Sequence, residues 1–207
     1  DYYAMHFQHF NADMADFIDQ IKISANFKNS TVSSNDIAYF APALQDWKKE
    51  FSLSGKFRGT ISDFKIEDFF ARTDQNTYAS GTFTMKGLPD IDITKMQFEN
   101  ANVQTNIRGI SFLYNGLGQI KSPDLASLGN VRFQGNYSGT IHEFLINGNF
   151  STALGGLFTK LKLSFPKYGE PAYSGTVQTK QFNLGRFIHS DSLGLISFEG
   201  KVDGKSF

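Results

Sequence analysis

The sequence predicts an all-β chain: an elongated, curved antiparallel sheet of repeated units, with one or two short helices. Repetition is the first reason. Residues 51–64 and 131–144 align without a gap, so that Gly55/Gly135, Gly59/Gly139, Thr60/Thr140, Ile61/Ile141 and Phe64/Phe144 coincide. A shorter third copy closes the chain over 196–204. Self-similarity of this kind marks one supersecondary unit used again. The second reason is period. Phe51, Leu53, Gly55, Phe57, Gly59 and Ile61 alternate with Ser52, Ser54, Lys56, Arg58 and Thr60, the pattern of a strand with one buried face. Composition is the third: 22 Phe and 19 Gly among 207 residues favour strands and tight backbone positions.

Taken in order, strands are expected at Tyr3–His9, 18–28, 51–61, 64–71, 78–86, 91–107, 131–141, 142–151, 156–165, 173–182 and 196–204. Gly, Asn and Asp between them describe a meander. The copy at 131–141 sets Val131, Phe133, Gly135, Tyr137, Gly139 and Ile141 on one face; the copy at 196–204 does the same with Ile196, Phe198, Gly200, Val202 and Gly204. Helix is expected at 35–47, where Ile37, Phe40, Leu44 and Trp47 have helical spacing, Ser33 or Ser34 caps, and Pro42 interrupts. Short turns of helix are expected at 184–188 and 124–128. The chain divides into approximate units 1–50, 51–130, 131–195 and a truncated 196–207. Its start without Met and its end on a strand-like pattern read as an excised interior piece of a longer polypeptide.

Glycines on the apolar face need a cause, because interior Gly weakens a strand. A sharply bent sheet or bulges supply one, and the same bend makes a trough lined by Phe and Leu. Twenty basic and 20 acidic residues cancel, which removes the electrostatic case for nucleic acid. Without Cys there is neither disulfide nor thiolate–metal chemistry. No apolar run approaches the roughly 18 residues that span a bilayer.

The residues that would carry catalysis do not assemble. His6 and His9 are three apart and face opposite ways on a strand; His142 sits at an outward or turn position and His189 in a polar turn. Asp90 and Asp92 share a strand face, and Asp63, Glu67 and Asp68 cluster near a turn, where acidic residues ordinarily meet water. Gly135 to Gly139 is not a nucleophile elbow, since Ser138 stands where the sister copy has Arg58. The reading is a non-enzyme without cofactor or metal.

Ser33 to Leu44, Leu53 to Phe64, Lys86 to Asp90, Leu128 to Gly139, Gly148 to Gly155, Phe182 to Phe187 and Leu193 to Gly204, in that order and spacing, resemble the TamB family of the AsmA-like superfamily in its Bacteroidetes form. The resemblance covers residues from about 20 to the end of the chain. It implies a half-open, taco-like β groove with an apolar interior, part of a periplasmic segment of an inner-membrane-anchored envelope protein whose anchor lies outside this piece. It implies as partners phospholipid acyl chains or nascent outer-membrane β-strands, together with an Omp85-type barrel. The groove would be lined by Phe51, Leu53, Phe57, Ile61, Phe83, Met85, Phe133, Tyr137, Ile141, Leu161, Leu163, Phe165, Phe198 and Val202. The alternative is an extracellular β-sandwich binding module, for carbohydrate or adhesion, with Tyr78, Tyr168 and Tyr173 on its outer face.

Overall fold

A computed structural model describes residues 2–7, 16–35, 49–73, 77–113 and 123–205. Eleven strands form one antiparallel sheet in sequence order, each beside its neighbour in the chain. They are β1 (Tyr2–His6), β2 (Lys22–Ser33), β3 (Glu50–Gly59), β4 (Asp63–Arg72), β5 (Tyr78–Lys86), β6 (Lys95–Thr105), β7 (Val131–Gly139), β8 (Glu143–Thr152), β9 (Gly155–Ser164), β10 (Ala172–Asn183) and β11 (Leu195–Lys205). Every expected strand is present, so the all-β meander stands. Several ends move: 18–21 is not strand, because Phe17–Gln20 is a turn of helix, β2 runs on to Ser33, 91–94 is a turn that holds Asp90 and Asp92 off the sheet, and β6 stops at Thr105. Of the strand expected at Tyr3–His9, residues 8 and 9 lie outside the described residues. The helices Ile107–Leu113 and Leu184–Ile188 and the 3-10 turn Leu125–Leu128 bridge strands. Ser33 ends β2 with its Oγ accepting from the Asn35 N–H at 3.2 Å; the helix expected over 35–47 lies, beyond Asn35, outside the described residues.

The repeated motif is a hairpin. In both copies a threonine closes the turn: Thr60 N–H donates to Asp63 O at 2.9 Å and Thr140 N–H to Glu143 O at 2.8 Å. The threonine Oγ1 accepts in return from the Asp63 and Glu143 N–H, 3.1 Å in each case. The preceding glycines have φ of +133° (Gly59) and +143° (Gly139), a region that side chains rarely enter. A Cβ at Gly59 would fall 2.7 Å from Phe64 Cα, and one at Gly139 2.5 Å from Phe144 Cα. The ring before each turn stacks on the ring after it, Phe57 on Phe64 at 4.8 Å and Tyr137 on Phe144 at 5.1 Å. Tyr137 replaces Phe because its hydroxyl reaches Thr140 O at 2.8 Å.

Four strands carry a bulge, one extra residue opposite their neighbour: β2 between Phe27 and Ser30, β4 between Ile66 and Phe69, β6 between Phe98 and Ala101, and β10 between Thr179 and Phe182. Each contains one left-handed residue, Asn29, Asp68, Asn100 or Gln181, at φ of 51–53°. A bulge removes an N–H from the ladder. Three of these find a short polar side chain on the facing strand: Asn29 N–H donates to Ser54 Oγ (2.9 Å), Asn100 N–H to Asn136 Oδ1 (2.9 Å) and Gln181 N–H to Ser197 Oγ (3.1 Å). The fourth, Asp68, holds Lys56 across the strands at 2.7 Å.

Bulges bend and twist a sheet locally, and here glycine lets rings from alternate strands meet. Strands twice removed in a flat sheet stand about 9.5 Å apart, yet the Phe69 ring on β4 and the Phe98 ring on β6 meet at 5.6 Å over β5. Between them lies Gly81, whose missing Cβ would be 2.9 Å from Phe98. Among the described residues the buried apolar ones are Ile21, Ala25, Ile66, Leu88, Ala101, Leu154 and Phe182. The accessible surface, 13078 Å², exceeds the ~9,700 Å² of a compact chain of this mass.

Candidate functional site: an apolar trough

Cross-strand partners share a sheet face, so the register reads out the composition of each face. One row runs edge to edge: Tyr3, Ala25, Phe57, Ile66, Phe83, Phe98, Tyr137, Ile146, Leu161, Gly175 and Val202. The row toward the hairpin turns is Met5, Ile23, Gly59, Phe64, Met85, Met96, Gly139, Phe144, Leu163, Tyr173 and Gly204. On the opposite side a row of small residues includes Ala101, Gly135, Gly148, Thr159, Val177 and Gly200. Beyond it stand Leu53, Ala71, Ala79, Val103, Phe133, Phe150, Leu157, Thr179 and Phe198. No charged side chain interrupts these four rows.

The small row is the floor of the bend, and aromatic rings lie on its glycines. Phe133 covers Gly135 and Gly148, where added Cβ atoms would approach its ring to 2.9 and 2.8 Å; Phe198 covers Gly200 at 2.9 Å. Glycine opposite a ring is a known device for curved sheets. Phe133 also packs on Phe150 at 4.7 Å. The product is a smooth hydrocarbon surface, half-buried by its own packing. Its one buried polar atom without a partner is Thr159 Oγ1, in a residue 3% exposed.

The other face is mainly polar, with Phe70, Tyr78, Leu145 and Phe158 scattered on it. Lys56 with Asp68 (2.7 Å), Lys65 with Glu67 (3.2 Å), Lys86 with Asp63 (3.0 Å) and Lys162 with Glu143 (2.6 Å) pair on it. The Asp63, Glu67 and Asp68 carboxylates, close in sequence, are thus each held by a different lysine. The side-chain hydrogen bond from Lys56 and its charge hold Asp68 below the ordinary carboxyl range; the same bond raises the Lys56 ammonium.

Of the expected groove residues, Phe51, Leu53, Phe57, Phe83, Met85, Phe133, Tyr137, Leu161, Leu163, Phe198 and Val202 stand on the apolar face. Phe165 follows β9 and stacks on Phe144 at 5.8 Å. Ile61 and Ile141 lie in the hairpin turns, past the strand ends, because the glycine at each turn stops the alternation there. Missed were Phe64, Ile66 and Phe69 on β4 and Met96, Phe98 and Val103 on β6, where a bulge switches the apolar positions from one parity to the other.

The turn end of the sheet is stitched from loop to loop. Ser62 N–H donates to Ile18 O (3.1 Å), Gly87 N–H to Ser62 O (2.7 Å) and Phe165 N–H to His142 O (2.7 Å). Asp90 and Asp92, expected on a strand, form a turn in which Asp92 N–H donates to Asp90 Oδ1 at 3.0 Å. Asp92 in turn meets His142 Nε2 at 3.0 Å and Lys167 Nζ at 3.3 Å. The hydrogen bond from His142, then the bond and charge of Lys167, hold its carboxyl below the ordinary range. Burial raises the Tyr137 phenol. Among the described residues no three His, Asp or Glu side chains gather to hold a metal ion, and no helix is long and apolar enough to cross a membrane. No family model, curated protein or solved structure matches this chain.

Proposed function

We propose that this chain is a non-enzymatic segment of a TamB-like envelope protein, in which the apolar trough shields phospholipid acyl chains on their way between the inner and outer membranes. The observation that carries the reading is the unbroken apolar face. At standard spacings eleven strands extend ~50 Å across and the four rows ~25 Å along, on the order of 1,000 Å², against the 300–600 Å² of the largest apolar patch on an ordinary monomer. The described strands contribute no second sheet to cover it. An acyl chain gains about 0.8 kcal/mol for each CH₂ withdrawn from water, and a surface without charges exacts no matching desolvation.

The resemblance of the ordered motifs to TamB supplies the setting: a periplasmic segment of an inner-membrane-anchored protein that works beside an Omp85-type barrel. Nascent outer-membrane strands are the rival cargo. A photo-crosslinking residue in place of Phe133, activated in living cells, decides between them. Capture of phospholipid is the expected outcome; capture of outer-membrane protein alone overturns the lipid reading. A sandwich-type carbohydrate module requires two packed sheets, and the open single layer gives it less support.

A further inference from the structure

We infer that His142 is a proton-operated clasp that holds the turn end of the trough together where unit 51–130 meets unit 131–195. The geometry of the imidazole carries this. Its Nδ1 lies 3.1 Å from Phe165 O and its Nε2 3.0 Å from Asp92 Oδ1. A backbone carbonyl and a carboxylate only accept hydrogen bonds. A neutral imidazole has one N–H, so it satisfies one of the two and turns a lone pair on the other. The imidazolium donates to both.

Place matters as much as chemistry. The β3–β4 turn, the loop 87–94 and the helix Phe17–Gln20 are joined by backbone hydrogen bonds, through Ser62. The β7–β8 turn is joined to Phe165 in the same way. Between these two groups the links are side-chain ones that meet on Asp92, from His142 at 3.0 Å and from Lys167 at 3.3 Å, and of the two only the imidazole can lose its charge near neutral pH. Asp92 belongs to the β5–β6 loop, His142 to the β7–β8 turn, and Phe165 and Lys167 to the β9–β10 loop. The sister turn has Ser62 at the position of His142, so the titratable link belongs to one junction and not to the repeat.

The charged groups around the ring set the sign. Asp92 faces it directly; Asp90 is tied to the Asp92 N–H at 3.0 Å. Lys167 shares the Asp92 carboxylate from the far side at 3.3 Å. Glu143, next in the chain, is engaged by Lys162 at 2.6 Å. The full clasp needs a proton on both nitrogens, so it is complete in the imidazolium and half-made in the neutral ring. Opening it loosens the loop 87–94 from the β7–β8 turn, while the β6–β7 ladder, the Lys167–Asp92 pair and, at the other end of the sheet, the bonds of Ala153 N–H to Leu128 O and Asp124 N–H to Phe187 O still join the two units.

The chain has no Cys, so spin labels at Ile93→Cys and Ile141→Cys, which are 66% and 39% exposed, report the separation of loop 87–94 from the β7–β8 turn. The expected result is a narrow distance distribution at pH 5.5 that broadens and lengthens at pH 8.5. His142→Ser, the sister turn's own residue, gives the broad distribution at both pH values. Asp92→Asn gives the narrow one at both, because an amide donates to a neutral Nε2 and accepts from a protonated one. An unlabelled His142→Ser protein checked for its strand signal separates loss of the clasp from loss of the fold, and Asp92→Asn decides alone if that variant does not fold. Identical distributions at both pH values without the clasp substitutions, a pH response that survives His142→Ser, or a pH response retained by Asp92→Asn overturns the inference.

Discussion

Asn100 shows what one residue contributes to the curvature. It sits at φ 51°, where Asn pays little and most side chains pay of order 1–3 kcal/mol, and its N–H has left the ladder for Asn136 Oδ1. Replacing Asn136 with Ala strands that N–H, and unfolding in urea is expected to show a loss of about 1 kcal/mol. Asn100→Gly keeps the conformation and is expected to stay within ~0.5 kcal/mol of the parent. Gly139 is less forgiving, because a methyl group there meets both a positive φ and the Phe144 backbone. Gly139→Ala is expected to lower stability by about 2–4 kcal/mol, read as a fall in thermal midpoint; a change below 0.5 kcal/mol would contradict the close packing described here. For Asp68, held below the ordinary carboxyl value by Lys56, the stabilisation is present above pH ~3.8 and lost as pH falls through the lower folded value. Asp68→Asn is therefore expected to flatten the acid limb of a pH–stability curve.

The hairpin and the bulge are the working elements, and the first was far easier to read than the second. Gly-Thr-Ile in both copies, with an acidic residue and Phe after it, announced the turn: Gly for its φ, Thr for its Oγ, Phe for the ring pair. Exchange of Thr140 for Val removes the Oγ acceptor of the Glu143 N–H and is expected to cost about 1 kcal/mol, with the same loss at Thr60. Strand period two worked on β3 and β7, which have no extra residue, and failed on β4 and β6. A bulge shifts the parity of everything after it, so Phe64 and Ile66 line up with Phe69 and not with residue 68. The trace was in the chain as two polar residues in succession inside an apolar alternation: Lys28-Asn29, Glu67-Asp68, Glu99-Asn100 and Lys180-Gln181. The clasp left no such trace, because Asp92, His142 and Lys167 come together only through the order of the strands.

At the scale of the whole molecule the sheet is one layer thick, with its apolar rows on the concave side. Its scattering profile is expected to be that of an open slab, with a radius of gyration above the ~17 Å of a compact chain this long; a compact value would remove the trough. Amphiphiles that fill the trough should stabilise the fold by mass action, by about 2.7 kcal/mol at a hundredfold excess over their dissociation constant. Phe98→Asp places a carboxylate midway along the longest row and is expected to abolish that stabilisation while the hairpins keep their strand signal by circular dichroism.

The hairpin meander also sets a rule of inheritance. The two rows nearest the hairpin turns cross all eleven strands once, and the connections join neighbours only. Duplicating a hairpin therefore lengthens the channel by about 10 Å and leaves its cross-section, its floor of glycines and its direction of alternation unchanged. Deleting one shortens it by the same step. A lineage carrying this architecture can tune the length of the apolar face by whole hairpins, whereas a single added strand would reverse the direction of one edge and send the next connection to the wrong rim.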